Sequence, residues 1–177
     1  MRRIHVAALV VALVVFGAGC PDDRAEPIAA GTAKVLAVID GDTVVLELDG
    51  RRESVRLLGI DTPETNHPTR PVECFGAEAT DRLGQLVPPG STVRVERDVE
   101  ARDHFGRLLL YLHRSTDDLF VNEAMVAEGF AATLHVDPNG AHRATLADAE
   151  SEARARGLGL WGACGGPGVA LDPLVAP

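Results

Sequence analysis

Three short apolar runs, joined by Asp-Gly pairs, restrict the fold of this chain more than any other feature. Residues 34–40, 43–48 and 51–60 are rich in Val, Leu and Ile, and an Asp-Gly pair stands at each of the two junctions. Asp-Gly readily adopts the positive φ angles of a tight hairpin turn, and branched apolar residues favour extended backbone. The pattern therefore predicts a three-stranded antiparallel meander.

Apolar spacing beyond residue 60 predicts two more strands and three helices. The helical stretches repeat apolar residues every three to four positions and stop at Gly or Pro, whereas the strands alternate. The strands are expected at residues 91–97 and 108–112, and the helices at 76–87, 118–128 (with Asp118 as N-cap) and 142–156. This count favours an α+β domain that is mainly β, a five-stranded OB-fold barrel with three packed α-helices.

The N-terminus has the composition of an export signal. Arg2 and Arg3 precede an apolar run over residues 4–16, and small residues lead up to Cys20. A basic start, a short apolar stretch and small residues predict a signal peptide over residues 1–19. Two outcomes stay open: a lipoprotein anchored in the cell envelope through a lipidated Cys20, or an ordinary cleaved signal and a secreted protein.

The remaining sequence predicts one folded domain between a flexible tether and a disordered tail. Residues 20–31 are rich in Pro, Asp, Ala and Gly and predict a flexible tether, and residues 165–177 predict a disordered tail. The folded domain is therefore expected over residues 32–164, and contact with a membrane only through the lipid anchor. Because an exported protein meets oxidising conditions, Cys74 and Cys164 are expected to form a disulfide, with two separate buried thiols as the alternative.

The charge balance limits the class of partner. Lys and Arg number 17 against 26 Asp and Glu, which gives a net charge of −9. A positive field over the whole surface is therefore excluded, and non-specific binding to nucleic acid is not expected. Any anion site must be local, and built from arginines or a metal ion.

Two aspartates near strand ends are candidate metal ligands. Asp42 follows the first run and Asp61 ends the third. Carboxylate oxygens suit hard cations such as Ca²⁺ and Mg²⁺, and two such ligands leave positions for water and a substrate phosphate. Glu64, in the loop beyond Pro63, is a candidate general base toward such a water. The alternative for Asp42 is structural, since Asp and Gly are ordinary turn residues.

Two arginines are candidate phosphate ligands. Arg56 shares a strand face with Leu58 and Ile60, so its guanidinium points inward, which is costly unless an anion meets it. That anion is either a neighbouring acid in an internal salt bridge or a substrate phosphate. Arg107 opens the fifth run after Gly106, and its alternative is a solvated surface arginine. Each guanidinium can donate a fork of hydrogen bonds to phosphate oxygens.

Five segments, in their order along the chain, resemble the staphylococcal-nuclease-like (thermonuclease) family. They are VIDGDTV at 38–44, RLLGIDTPE at 56–64, DHFGR at 103–107, VNEAMV at 121–126 with its following glycine, and GLW at 159–161. Each match is short, but the ordered set is specific and covers about residues 33–161.

The resemblance implies a monomeric Ca²⁺-dependent phosphodiesterase that acts on DNA and RNA, preferably single-stranded or unpaired, and leaves 3′-phosphate products. By position it makes the carboxylates of Asp42 and Asp61 and the carbonyl of Thr62 the ligands of one Ca²⁺ ion, with Asp40 as a nearby carboxylate. It makes Arg56, Glu64 and Arg107 the catalytic group. The alternative is a catalytically inactive OB-fold module that binds nucleic acid or protein at the cell envelope. An inactive module has no reason to keep the two carboxylate ligands and the catalytic group together, yet this sequence has all five: Asp42, Arg56, Asp61, Glu64 and Arg107.

The chain departs from the family at the positions that contact the nucleotide. Phe105 and His135 are assigned to substrate binding, but Phe105 stands where the best-known member has tyrosine. His135 and Asp137 are taken to replace two further tyrosines. Loss of aromatic stacking weakens the grip on a base by roughly 1–3 kcal/mol per contact. We therefore expect weak, sequence-tolerant substrate binding with the chemistry retained.

Overall fold

A computed structural model describes residues 31–65, 69 and 71–171 of the chain. The signal peptide, the lipidation of Cys20 and the tether up to residue 30, all three predicted from the sequence, lie outside the described residues. Among those that are described, no helix has both the length and the apolar character needed to cross a membrane.

Seven strands and four helices make up the described chain. The strands are β1 (Gly31–Val38), β2 (Thr43–Leu48), β3 (Arg51–Leu57), β4 (Ile60–Asp61), β5 (Thr92–Glu96), β6 (Leu108–Arg114) and β7 (Ala132–Thr133). The helices are α1 (Gly76–Leu86), α2 (Val121–Ala127), α3 (Arg143–Ala155) and α4 (Leu160–Ala163). Five strands close into a barrel in the order β1-β2-β3-β6-β5, and β4 pairs with β7. The predicted five-stranded OB-fold barrel is confirmed, with a short fourth helix added.

Alternate residues of the barrel strands build the core. Val35, Leu46, Val55, Val93 and Leu112 are completely or almost completely buried, as expected when every second side chain of a strand points to one face. Helices α1 and α2 cover the barrel with buried side chains of their own, among them Leu83 and Met125. The scarcity of aromatic residues is thus met by a core of Val, Leu and Ile.

The pairing of β3 with β6 sets the position of both candidate arginines. It is a parallel pair, in which Val55 lies opposite Leu108 and Arg56 opposite Leu109, whereas the other barrel pairs are antiparallel. Arg107 immediately precedes β6. The register therefore brings the ends of two segments distant in sequence to one place.

Two details of the predicted elements are wrong. The third strand ends at Leu57, because Gly59 has a φ of 77° and turns the chain so that β4 follows as a separate strand. Helix α2 begins at Val121 and not after Asp118, whose φ is 57°. Asp118 forms an ion pair with Arg94 at 2.7 Å instead of capping the helix.

The disulfide between Cys74 and Cys164 is present and joins residues 90 positions apart. Next to it, the N–H of Cys74 donates to the carbonyl of Val169 at 2.8 Å, and the N–H of Leu171 donates to that of Val72 at 2.9 Å. Val169 and Leu171, within the tail that the sequence predicts to be disordered, are thus hydrogen-bonded to the segment before α1. Residues 172–177 lie outside the described part.

Candidate active site

The turn between β1 and β2 holds Asp42 against the end of β4. The Oδ2 atom of Asp42 accepts hydrogen bonds from the N–H of Thr62 at 3.0 Å and from its hydroxyl at 3.1 Å. Gly41 makes this approach possible, because a Cβ at that position would lie 2.8 Å from the side chain of Thr62. Asp42 is consequently a buried acid, with 7% of its surface exposed.

Arg56 bridges the two candidate metal ligands. Its Nη2 atom lies 3.1 Å from Oδ2 of Asp42 and 2.9 Å from Oδ1 of Asp61. Its Nη1 atom donates to the carbonyls of Leu57 at 2.9 Å and Ile60 at 2.8 Å. Two carboxylates from separate hairpins thus meet at one nitrogen. The internal salt bridge that the sequence left open is formed, and it involves both acids.

Carboxylates outnumber the positive charge at this position. Asp40 accepts a hydrogen bond from the N–H of Asp42 at 3.0 Å. Burial, together with the adjacent negative charge of Asp42, raises the pKa of Asp40 to about 6. Asp42 and Asp61 at Arg56, with Asp40 next to Asp42, therefore give this position an excess of negative charge, which attracts a cation.

Arg107 is oriented by the turn that precedes it. Its Nε donates to Oδ2 of Asp103 at 2.7 Å, while Oδ1 of Asp103 accepts the N–H groups of Phe105 and Arg107 at 3.0 and 2.9 Å. Burial acts to raise the pKa of Asp103, but these hydrogen bonds outweigh it and leave the pKa below its usual value. The ion pair uses Nε, so it does not consume the two terminal nitrogens of Arg107 that suit a phosphate.

A cleft of about 420 Å³ unites the two arginines. Its polar lining includes Arg56, Arg107, Glu100 and Asn139, and its apolar wall includes Leu134 and Val136. Both arginines thus line one cavity. Phe105 stands close by, its ring 72% exposed and its centre 5.5 Å from Cζ of Arg107.

The structure does not bring His135 or Asp137 to this cleft. His135 lines a smaller cavity beside Tyr111 and Leu146, and its Nε2 lies 3.3 Å from the exposed carboxylate of Asp137. Leu134 and Val136, which the sequence analysis missed, stand in the cleft wall instead. Alternate residues of an extended segment share a face, and the hydrogen bond from Leu134 N–H to Gly59 carbonyl fixes which face that is.

Glu64 lies two residues beyond Thr62 and does not line the cleft. Its N–H donates to Oε2 of Glu73 at 3.2 Å, and its carbonyl accepts the N–H of Glu73 at 2.8 Å. Within residues 31–65, 69 and 71–171, no group of three or more His, Cys, Asp or Glu side chains is arranged to hold a metal ion. A divalent ion here would thus depend on few protein ligands.

Comparison with known proteins agrees with this architecture. The family model described as Staphylococcal nuclease homologue matches residues 54–163. The chain is 32% identical to a thermonuclease of Staphylococcus intermedius over 91% of its own length and 99% of that protein. It is 34% identical to a thermonuclease of Staphylococcus hyicus, over 73% of the chain and 75% of the relative. Endonuclease YncB of Bacillus subtilis is 36% identical over 72% of the chain and 60% of the relative. The chain belongs to the family of staphylococcal nuclease homologues.

Proposed function

We propose that this protein is a nuclease that hydrolyses phosphodiester bonds of DNA and RNA and depends on one Ca²⁺ ion. The observation that carries the proposal is the meeting of Asp42 and Asp61 at Arg56, beside a cleft that Arg107 also lines. The thermonuclease and endonuclease relatives support the same activity.

The residues present fit a hard divalent cation. The carboxylates of Asp42 and Asp61 and the carbonyl of Thr62 would hold the ion, and all three donors are oxygens. The carboxylates converge, because both contact the same nitrogen of Arg56. When bound, the ion would supply positive charge to the phosphate and offset its repulsion by a chain of net charge −9.

The two arginines would act on the scissile phosphate. Arg56 and Arg107 can each donate paired hydrogen bonds to its non-bridging oxygens. Charge grows on these oxygens in the transition state, so the guanidiniums stabilise that state more than the bound substrate. Both side chains are partly shielded from water, Arg56 at 13% and Arg107 at 30% exposure, and this shielding strengthens the electrostatic effect.

Glu64 would serve as the general base. It would accept a proton from the attacking water as the water oxygen bonds to phosphorus. The bond to the 5′-oxygen of the next nucleotide would break, and that oxygen would take a proton from solvent. The products would be a 3′-phosphate end and a 5′-hydroxyl end.

The cleft wall supports a preference for single-stranded or unpaired substrate. Leu134 and Val136 offer an apolar surface to an unstacked base, and the ring of Phe105 is open to solvent near Arg107. Aliphatic side chains lack the stacking energy of aromatic rings, which is roughly 1–3 kcal/mol per base. We therefore expect weak, sequence-tolerant binding.

We further propose that the protein acts outside the cytoplasm as a monomer, anchored through a lipidated Cys20 or released after cleavage of a signal over residues 1–19. The basic and apolar N-terminus supports export. So does the Cys74–Cys164 disulfide, since disulfides persist in oxidising compartments.

Digestion of plasmid DNA and of RNA tests the proposed function. We expect cleavage with Ca²⁺ and none with EDTA, because the acidic cluster would then repel the phosphate. Glu64→Gln should lower kcat about 100-fold or more, since a positioned general base contributes factors of that size. Glu78→Gln, an exposed change in the first turn of α1, is the matched control and should retain full activity. Equal cleavage in EDTA, or nucleic-acid binding without cleavage, would contradict the proposal and favour an inactive binding module.

A further inference from the structure

The backbone of Glu64 is held on both of its polar groups by Glu73. The N–H of Glu64 donates to Oε2 of Glu73 at 3.2 Å, and the N–H of Glu73 donates to the carbonyl of Glu64 at 2.8 Å. One bond comes from a side chain and the other from the backbone. Together they fix both the place and the orientation of the peptide units around Glu64.

Helix α1 supports the same segment from the adjacent side. A Cβ at Gly76 would lie 2.6 Å from Cγ2 of Thr65 and 2.9 Å from the carbonyl of Pro63. The first turn of the helix therefore touches the residues on either side of Glu64 directly. Because Leu83 of the same helix is completely buried in the core, this support is fixed to the barrel.

The C-terminal segment secures Glu73 in turn. Cys74, the next residue, is bonded to Cys164 and also donates its N–H to the carbonyl of Val169 at 2.8 Å. On the other side of Glu73, the carbonyl of Val72 accepts the N–H of Leu171 at 2.9 Å. Glu73 is thus flanked on both sides by attachments to one segment.

We propose that Glu73 is a positioning residue for Glu64, and that residues 164–171, joined through the disulfide, hold Glu73 in place. The inference rests on the proposed function, because it assigns Glu73 a role through the general base. A base displaced by about 1 Å can lose on the order of 100-fold in rate. Residues 164–171 then contribute to catalysis indirectly, by holding Glu73, and need no contact with the substrate.

Replacement of Glu73 tests the inference through kcat and KM measured separately on a fluorogenic oligonucleotide with Ca²⁺. Glu73→Ala removes the acceptor for the Glu64 N–H and should lower kcat by roughly 10-fold or more, with KM within about twofold. Glu73→Gln keeps an oxygen acceptor and should stay close to the wild type. Glu78→Ala, an exposed change in the first turn of helix α1, is the control and should change neither constant.

Two further variants separate positioning from a loss of folding. In a Glu64→Gln background, Glu73→Ala should cause no additional loss of kcat, because the two changes act through one group. Additive losses would overturn the inference. Cys74→Ala combined with Cys164→Ala should lower kcat with KM retained, in protein shown to be folded by its thermal unfolding transition.

The failure of this inference is distinct from failure of the proposed function. If the wild type does not cleave nucleic acid, the proposed function is wrong. If the wild type and Glu78→Ala cleave, and Glu73→Ala cleaves with the same kcat, only the role of Glu73 is wrong.

Discussion

The two sides of the cleft are built in opposite ways. On one side Arg56 is 13% exposed and contacts two carboxylates and two backbone carbonyls. On the other side Leu134 and Val136 are 42% and 57% exposed and offer only aliphatic surface. The side chain on the first side is held by ion pairs and hydrogen bonds, whereas the second side is held through its backbone, by hydrogen bonds from Leu134 N–H to the Gly59 carbonyl and from Asn139 N–H to the Val136 carbonyl. Under the proposed function, this difference predicts that substitutions on the first side change the rate and substitutions on the second change substrate affinity.

Removal of Arg56 should produce the largest effect. Arg56→Ala takes a donor from the transition state, which costs about 100- to 1,000-fold in kcat. It also removes the cationic partner of the buried carboxylate of Asp42, which keeps only its neutral hydrogen bonds from Thr62 and Thr43, so the free energy of unfolding should fall by about 2 kcal/mol. Rates on a short oligonucleotide and urea unfolding measure the two losses.

A neighbour on the same strand provides the control for that change. Arg51 is exposed on β3, so Arg51→Ala should alter neither kcat nor stability. If the kcat of Arg56→Ala stayed within tenfold of the wild-type value, Arg56 would not take part in the chemical step.

Substitutions in the aliphatic wall of the cleft, which Leu134 and Val136 form, should change substrate affinity and leave kcat unchanged. Val136→Tyr places a ring in the cleft, and stacking on a base should tighten binding of single-stranded DNA roughly 5-fold or more, with kcat unchanged. Asp137→Tyr is the matched control, because the Asp137 side chain is 89% exposed and outside the cleft. Equilibrium binding to a labelled oligonucleotide measures both. A gain in Asp137→Tyr but not in Val136→Tyr would show that the wall has been assigned to the wrong face.

The smallest expected effect is on the pH dependence of stability, and it comes from a cluster of Glu96, His113 and His142 that does not line the cleft. Glu96 lies 3.0 Å from Nε2 of His113 and 2.8 Å from Nε2 of His142. Burial acts to raise the pKa of Glu96, but hydrogen bonds from His142 and His113 outweigh it and leave the pKa below its ordinary 4.5. Its contribution to stability is therefore complete above pH 4.5 and is lost as the pH falls through the lower value of the folded protein.

Comparison with Glu96→Gln isolates this contribution. Between pH 6 and pH 3, urea unfolding should show a steeper loss of stability in the wild type than in the variant, while kcat at neutral pH stays the same. Identical slopes would mean that the two histidines do not stabilise the carboxylate. A changed kcat would mean that the cluster is coupled to the cleft after all.

Local patterns in the sequence predicted the strands of this part of the site better than the direction of Arg56. Strand β2 occupies the predicted residues 43–48. The expectation that Arg56 lies on the inward face of its strand is wrong, because Val55 and Leu57 point into the core and alternation puts Arg56 on the opposite face. The guanidinium still meets an anion there, since Asp42 and Asp61 both contact it.

Features that depend on contacts between distant parts of the chain were not predicted from the sequence. Which face Leu134 and Val136 present depends on a hydrogen bond to Gly59, and an error of one residue exchanges the two faces of an extended segment. Asp118 has the residue type of a helix cap but pairs with Arg94 from another strand. The segment 165–171 looked loose by composition, yet its backbone bonds to residues far earlier in the chain.

The parallel pairing of β3 with β6 has one more consequence. The chain between these adjacent strands passes through α1, β5 and the loop at Val99, which is 72% exposed. A protease cut at Val99 would divide the protein into two fragments, one carrying Arg56 and the other Arg107. Because the Cys74–Cys164 bond spans the cut, nicking would yield a covalent two-chain protein and not two separate pieces.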